Sequence, residues 1–241
     1  MTQPKRRLGI IGADGRMGCA VAAAAEGRFD VTACVTLADP AYERLRDCDL
    51  VIDFSAPPAL MAALPHVTDG TPLISGTTGL SAKDDDAVTA AASRLPILRS
   101  GNFSIGIAVL SSLARQAATA LGDGWDIDIL EMHHRHKVDA PSGTARMLGE
   151  AVADGRAVNL SDVASHDRDG PREEGEIGFA VLRGGGVYGL HEVRIASESE
   201  MITLGHQALN RDVFAHGALY AADWLQGREP GLYTMSDLIK I

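Results

Sequence analysis

Five side chains that carry or can take a positive charge stand in a row at His133, His134, Arg135, His136 and Lys137, in a chain whose formal charge is −10. They follow Glu131-Met132 and run into Val138-Asp139-Ala140-Pro141-Ser142-Gly143-Thr144-Ala145. Such a run is a site for a bound anion, a metal site or a solvated basic loop. Three of the eight histidines fall here, which invites zinc. Against zinc, neighbouring side chains on an extended chain point to opposite faces, no carboxylate or thiolate partner is spaced as in known helical pairs, and Arg135 and Lys137 would repel the ion. Lys and Arg favour a bound carboxylate instead, and a Ser142-Gly143-Thr144 turn opening a helix adds backbone N–H groups, hydroxyls and a positive dipole end. A histidine gives or takes a proton at neutral pH, and an ammonium donates one or offsets developing negative charge. Acid-assisted hydride transfer needs such groups. His66, His166, His191, His206 and His216 are isolated in the sequence and read as structural or exposed.

A second group is built from small residues. Residues 12–18, Gly-Ala-Asp-Gly-Arg-Met-Gly, form GxxGxxG, a spacing variant of the dinucleotide-binding turn, with an apolar stretch before and an alanine-rich helical stretch after. Small side chains let the backbone approach a pyrophosphate, with helix N–H groups and Arg16 as donors; an ordinary glycine-rich turn is the alternative. Gly76-Thr77-Thr78-Gly79 ends another strand on the same sheet edge, and two such turns favour a ligand crevice. About 20 residues past the first turn an acid would hold the ribose of NAD and a base would favour NADP. The second strand ends Val35-Thr36-Leu37 with neither, and Asp39, before Pro40, is either a turn residue or the ribose acceptor.

These residues must be held by regular elements. Apolar strands at 8–11, 30–36, 49–54, 72–75 and 96–98 alternate with helical segments such as 82–94, the pattern of a parallel sheet with right-handed crossovers. After Asn102 the pattern changes. Residues 125–129 alternate apolar with acidic, and strands at 176–183, 189–196 and 200–206 follow without long helices, with Gly184-Gly185-Gly186 as the turn between the first two. That half reads as an open mixed or antiparallel sheet. Residues 212–226 are helical, with Val213, Gly217, Tyr220, Ala221 and Trp224 on one face.

Composition narrows the partners. The 241 residues are 46% hydrophobic, 22% charged and 5% aromatic, with 26 glycines, a globular balance. An isoelectric point near 5.2 argues against nucleic acid and acidic membrane surfaces. Cys19, Cys34 and Cys48 lack CxxC spacing, which predicts free thiols in a reducing cytoplasm. The apolar run after Lys5-Arg6-Arg7 is too short for a signal or membrane segment, so a soluble protein is expected.

On residues 12–18, Asp53-Phe54-Ser55, Gly76-Thr77-Thr78-Gly79, Asn102-Phe103-Ser104, the block 131–145 and Gly231-Leu232-Tyr233-Thr234-Met235, the chain resembles, essentially end to end, the 4-hydroxy-tetrahydrodipicolinate (dihydrodipicolinate) reductase family of lysine and diaminopimelate biosynthesis. The resemblance implies an α/β fold: a Rossmann-like doubly wound nucleotide-binding domain, residues 1–104 and 208–241, with an inserted α+β substrate-binding domain, residues 105–207, on an open mixed sheet that builds a homotetramer. It implies NADH or NADPH bound by Gly12, Ala13, Asp14, Gly15, Arg16, Met17, Gly76, Thr77 and Thr78, and by Ser100, Gly101, Asn102 and Phe103 at the hinge, with no metal. His133 would be the acid of the reduction, Lys137 the second proton donor and His134 a substrate contact, while Ser142, Gly143 and Thr144 would grip a carboxylate of the cyclic dicarboxylic acid. The family reaction sends a hydride to the substrate ring with loss of water and protonation, giving tetrahydrodipicolinate. Two departures stand out. The segment between the second strand and Asp53 is much shorter than in many relatives and lacks the acid or acid–arginine pair expected at its start, which leaves NADH and NADPH undistinguished, and Gly189-Leu190-His191-Glu192 replaces the family's Gly-Glu-His order, so no role passes to His191 or Glu192.

Two other functions share these features. A nucleotide-binding sensor would have lost His133 or Lys137, and both are present. An aldehyde-type dehydrogenase needs a reactive cysteine beside a base, yet all three cysteines lie in the nucleotide-binding half.

Overall fold

The computed structural model describes residues 4–239. Along the chain run β1 (Arg6–Ile11), α1 (Arg16–Ala25), β2 (Phe29–Val35), β3 (Leu50–Asp53), α2 (Pro57–Ala63), β4 (Leu73–Ser75), α3 (Ala82–Ala91), β5 (Pro96–Arg99), α4 (Ile105–Leu121), β6 (Asp126–His133), α5 (Gly143–Gly155), α6 (Leu160–Val163), β7 (Ala164–Ser165), β8 (Ile177–Arg183), β9 (Gly189–Ala196), β10 (Met201–Ala208), α7 (Asp212–Leu225), β11 (Gly231–Tyr233) and α8 (Met235–Leu238). They divide into two units, one of residues up to Ile105 with those from Asp212 onward, the other of Gly106–Arg211. The return to the first unit comes at the start of α7, a little beyond residue 208, because β10 runs through Ala208.

The first unit holds a parallel sheet in the order β11-β5-β4-β3-β1-β2. Its strands read as unbroken apolar runs because helices cover both faces: Leu8, Ile10, Leu50, Val51, Ile52, Leu73, Ile74, Ile97 and Leu98 are all buried. The chain moves outward from β1 to β2, then crosses back and continues the other way from β3, so strand order reverses between β1 and β3. Ligands of doubly wound sheets lie at the carboxyl ends of the strands beside that reversal. The short segment noted above has a structural meaning: residues 36–49 hold only a 3-10 turn at Tyr42–Asp47, so β2 remains the sheet edge. In α7 the buried face is Ala215, Ala218, Leu219, Ala222 and Leu225 with Gly217 and Ala221, while Tyr220 is exposed. This corrects the expected face. A ridge of small residues is what fits, since a Cβ on Gly217 would lie 1.7 Å from the Phe103 carbonyl oxygen.

The second unit holds a mixed sheet in the order β10-β9-β6-β8-β7, with β8 parallel to β6 and β9 antiparallel to it. The glycine turn at 184–186 does connect β8 to β9, but these strands are not neighbours. The connection passes over the end of β6, where Gly184 N–H donates to the His133 carbonyl (3.0 Å) and Arg135 N–H to the Gly185 carbonyl (3.3 Å). Alternation along β6 sends Ile127 and Ile129 into a core with Ile107, Leu110 and Ala114 of α4 and Leu148 and Val152 of α5. The next two residues on that buried row are Glu131 and His133, and two polar groups on a core face must find partners there.

Candidate active site

At the carboxyl edge of the parallel sheet, the residues after β1, β4 and β5 are those singled out from the sequence. Gly12 takes φ +77°, Gly12 and Ala13 donate to the Val35 carbonyl (2.9 and 3.2 Å), and the Gly12 carbonyl accepts from Gly15 N–H (3.0 Å). The turn delivers Asp14 and then α1, whose N-cap is Gly15 and whose first turn, with Arg16 and Met17, has no side-chain cap. Unpaired N–H groups at such an end attract phosphate. A Cβ on Gly18 would lie 2.1 Å from the Gly12 carbonyl oxygen, so only glycine lets the helix start this close to the strand. A cleft of about 410 Å³ lies against Thr77, Thr78, Arg99, Ser100 and Gly101. Ser100 Oγ donates to the Asn102 carbonyl (2.6 Å) and accepts from Asn102 N–H (3.1 Å). Phe103 turns its ring into the core, edge-on to Phe54. Beneath the turn at 76–78, fully buried Asp53 accepts from Ser55 Oγ (2.5 Å) and Ser75 Oγ (2.7 Å). Burial raises its carboxyl pKa against these hydrogen bonds. The glycine cradle, the uncapped helix and the cleft all fit a dinucleotide.

Past β2, Asp39 is a turn residue: its carbonyl accepts from Thr36 N–H (3.1 Å), its N–H donates to Thr36 Oγ1 (2.9 Å), and its carboxylate pairs with Arg44 (3.0 Å).

In the second unit, Glu131 has no exposed surface, His133 is 8% exposed and His191 3%. Glu131 Oε2 lies 2.6 Å from His133 Nδ1 and 2.8 Å from Arg183 Nη1, while Oε1 accepts from Arg183 Nη2 (2.8 Å) and Ser142 N–H (3.0 Å). Burial would raise the Glu131 carboxyl, but Arg183, His133 and the Ser142 amide outweigh it and hold the group below the usual carboxylate range. Burial lowers His133, helped by the charges of Lys137 and Arg183 and opposed by Glu131. Ser142 caps α5, its Oγ accepting from Ala145 N–H (3.2 Å), and so sets Gly143 and Thr144 in the first turn. Lys137 pairs with Asp139 (2.9 Å) and sends its N–H to the His134 carbonyl (3.1 Å); the His134 ring lies 6.2 Å from that of His136.

Though no carboxylate is spaced from these histidines as in helical metal-binding pairs, His133 has a carboxylate hydrogen-bond partner. Glu131 is that partner, because on a strand residues two apart share a face. His191 is not isolated either. It sits directly across from Glu131 on β9, its ring 5.0 Å from that of His133 and its Nε2 3.3 Å from Ser142 Oγ. Among the described residues, no cluster of three or more His, Cys, Asp or Glu is placed to hold a metal.

Burial, with the charge of His133 next, pushes His191 down to about 3. Unfolded, the ring titrates near 6.5. Between those values the unfolded chain binds a proton that the folded chain refuses, so stability falls as pH drops through that window. Urea unfolding at about pH 7 and about pH 5 is expected to show His191→Gln losing about 2 kcal/mol less than the parent protein across that interval. Equal losses would contradict the assignment.

The parallel sheet with its edge turns is that of a nucleotide-binding α/β oxidoreductase. Family models described as dihydrodipicolinate reductase, N-terminus and C-terminus, match residues 6–103 and 106–239. The chain belongs to the dihydrodipicolinate reductase family and is a reductase of the nicotinamide-dependent kind. It is 46% identical to the 4-hydroxy-tetrahydrodipicolinate reductase of Caulobacter vibrioides over 99% of this chain and 98% of that one. It is 52% identical to the enzyme of that name from Parvibaculum lavamentivorans over 82% and 74%. Among solved structures, dipicolinate-bound dihydrodipicolinate reductase from Paenisporosarcina sp. TG-14 shares the fold, with a TM-score of 0.77 at 22% identity over 98% of this chain and all of that one. No helix among the described residues is long and apolar enough to cross a membrane.

Proposed function

We propose that this chain reduces 4-hydroxy-tetrahydrodipicolinate to tetrahydrodipicolinate with NADH or NADPH and loss of water, serving lysine and diaminopimelate biosynthesis in the cytoplasm as a homotetramer. The observation that carries the reading is the buried Glu131–His133 pair (2.6 Å) beside the Ser142-capped start of α5, a proton-handling group next to a carboxylate-binding corner. The bound coenzyme supplies a hydride. Gly12, Ala13, Asp14, Gly15, Arg16 and Met17, together with Gly76, Thr77, Thr78, Ser100, Gly101, Asn102 and Phe103, would hold it, the N–H groups at the start of α1 being suited to its phosphates. His133 and Lys137 handle protons, His134 contacts the substrate, and Ser142, Gly143 and Thr144 hold one carboxylate.

Exposed Leu182, Met201 and Ile202 on β8 and β10 support assembly through the mixed sheet. The test is loss of the reduced coenzyme's near-ultraviolet absorbance when the protein meets the condensation product of pyruvate and aspartate semialdehyde. Oxidation that depends on both supports the reading, and none with folded protein at neutral pH would end it.

A further inference from the structure

We propose that Glu131, clamped by Arg183, is a positioning residue that holds the His133 proton on Nδ1 and leaves Nε2 to meet the substrate, so that His133 serves first as base and then as acid. The inference rests on the reductase reading for its substrate, but its geometry stands alone. Each oxygen of Glu131 takes two contacts: Oε2 from His133 Nδ1 and Arg183 Nη1, Oε1 from Arg183 Nη2 and Ser142 N–H. A carboxylate satisfies all four, whereas a protonated acid would set its own hydrogen against one of these donors. With the carboxylate ionised, a nitrogen 2.6 Å away must carry the hydrogen. Neutral imidazole then has its lone pair on Nε2.

The surroundings keep His133 neutral and Nε2 open. The titratable and charged groups facing it are Glu131 on its own strand, Lys137 after that strand, Arg183 on β8 and His191 on β9. Burial with two cations outweighs one carboxylate. On the Nε2 side stands Gly189, where a Cβ would come within 3.2 Å of that nitrogen, so any larger residue would crowd it.

A neutral His133 fixes the order of proton transfers. Loss of water from the substrate breaks a C–O bond on one ring carbon and a C–H bond on its neighbour. His133 Nε2 takes the proton from the neighbouring carbon, the C–H electron pair forms the ring double bond, and the Lys137 ammonium protonates the departing hydroxyl to water. Once a hydride has reached the carbon that bore the hydroxyl, the imidazolium returns its proton to the neighbouring carbon, and solvent reprotonates Lys137. The sum is one hydride and one proton gained and one water lost. Glu131 and Arg183 stay charged throughout.

The test combines nitrogen-15 NMR of histidine-labelled protein with steady-state kinetics on Glu131→Gln. The parent protein is expected to show His133 protonated at Nδ1. The variant should lose that tautomer, drop about 100-fold or more in kcat with coenzyme affinity unchanged, and move the acid limb of kcat/KM about 1 to 3 pH units toward acid, since the carboxylate that favours imidazolium is gone. If leaving Arg183 unpaired prevents folding, Glu131→Gln/Arg183→Met removes both charges of the buried pair and carries the same expectation. A variant that keeps the Nδ1–H tautomer, or the parent's kcat and pH profile, would overturn the proposal. Parent protein without reductase activity but with a tautomer set by Glu131 would instead refute the functional reading alone.

Discussion

Lys137→Ala is expected to cut turnover by about 100-fold or more while leaving the fold and coenzyme affinity unchanged. Lys137 pairs with Asp139 at 2.9 Å, but the Asp139 side chain is more than half exposed, and such pairs contribute only about 0–1 kcal/mol. The ammonium is therefore free to leave Asp139 for a substrate carboxylate or a departing hydroxyl without cost to stability. His133→Gln should produce a loss of similar size, because glutamine can fill the space beside Glu131 but cannot exchange a proton. Steady-state rates, thermal unfolding and calorimetric titration of the coenzyme on the same preparations check the pair. Normal turnover in both variants would remove these residues from the reaction.

Gly18→Ala should have the second large effect, and on the other ligand. Its Cβ would lie 2.1 Å from the Gly12 carbonyl oxygen and 2.7 Å from Ala13 Cα, which are backbone atoms with no rotamer to give way. Either α1 is displaced or the turn opens, and in both cases the N–H groups meant for phosphate move. Loss of about 1–3 kcal/mol of stability and at least about a tenfold loss of coenzyme affinity, near 1.4 kcal/mol, are expected by urea unfolding and calorimetry. Parent-like coenzyme binding would show that this turn does not hold the phosphates.

The nucleotide half was legible because its signals are local. Strands covered on both faces are apolar runs such as Leu50-Val51-Ile52, and the glycines between β1 and α1 are needed where backbones nearly touch. The block 131–145 was legible for the same reason, being one stretch of chain. What escaped was what strand register brings together. Arg183 meets Glu131 across 52 residues of sequence, and His191 reaches it only because β9 pairs with β6 in antiparallel register; no local pattern encodes either. One signal was available and unused: Glu131 and His133 continue the alternation of Ile127 and Ile129, which puts carboxylate and imidazole on one face. Asp39 was open in the sequence because a turn acid and a ribose acceptor look alike until its pairing with Arg44 is known.

In the proposed reaction the corner opened by Ser142 receives a cyclic dicarboxylate with its ring at His133. A crystal structure with the oxidised coenzyme and dipicolinate tests it most directly. One carboxylate is expected on the N–H groups of Gly143 and Thr144, with the ring beside His133 Nε2 and Glu131 still joined to Nδ1 and Arg183. Dicarboxylate bound away from this corner, or His133 turned so that Nε2 meets Glu131, would contradict it.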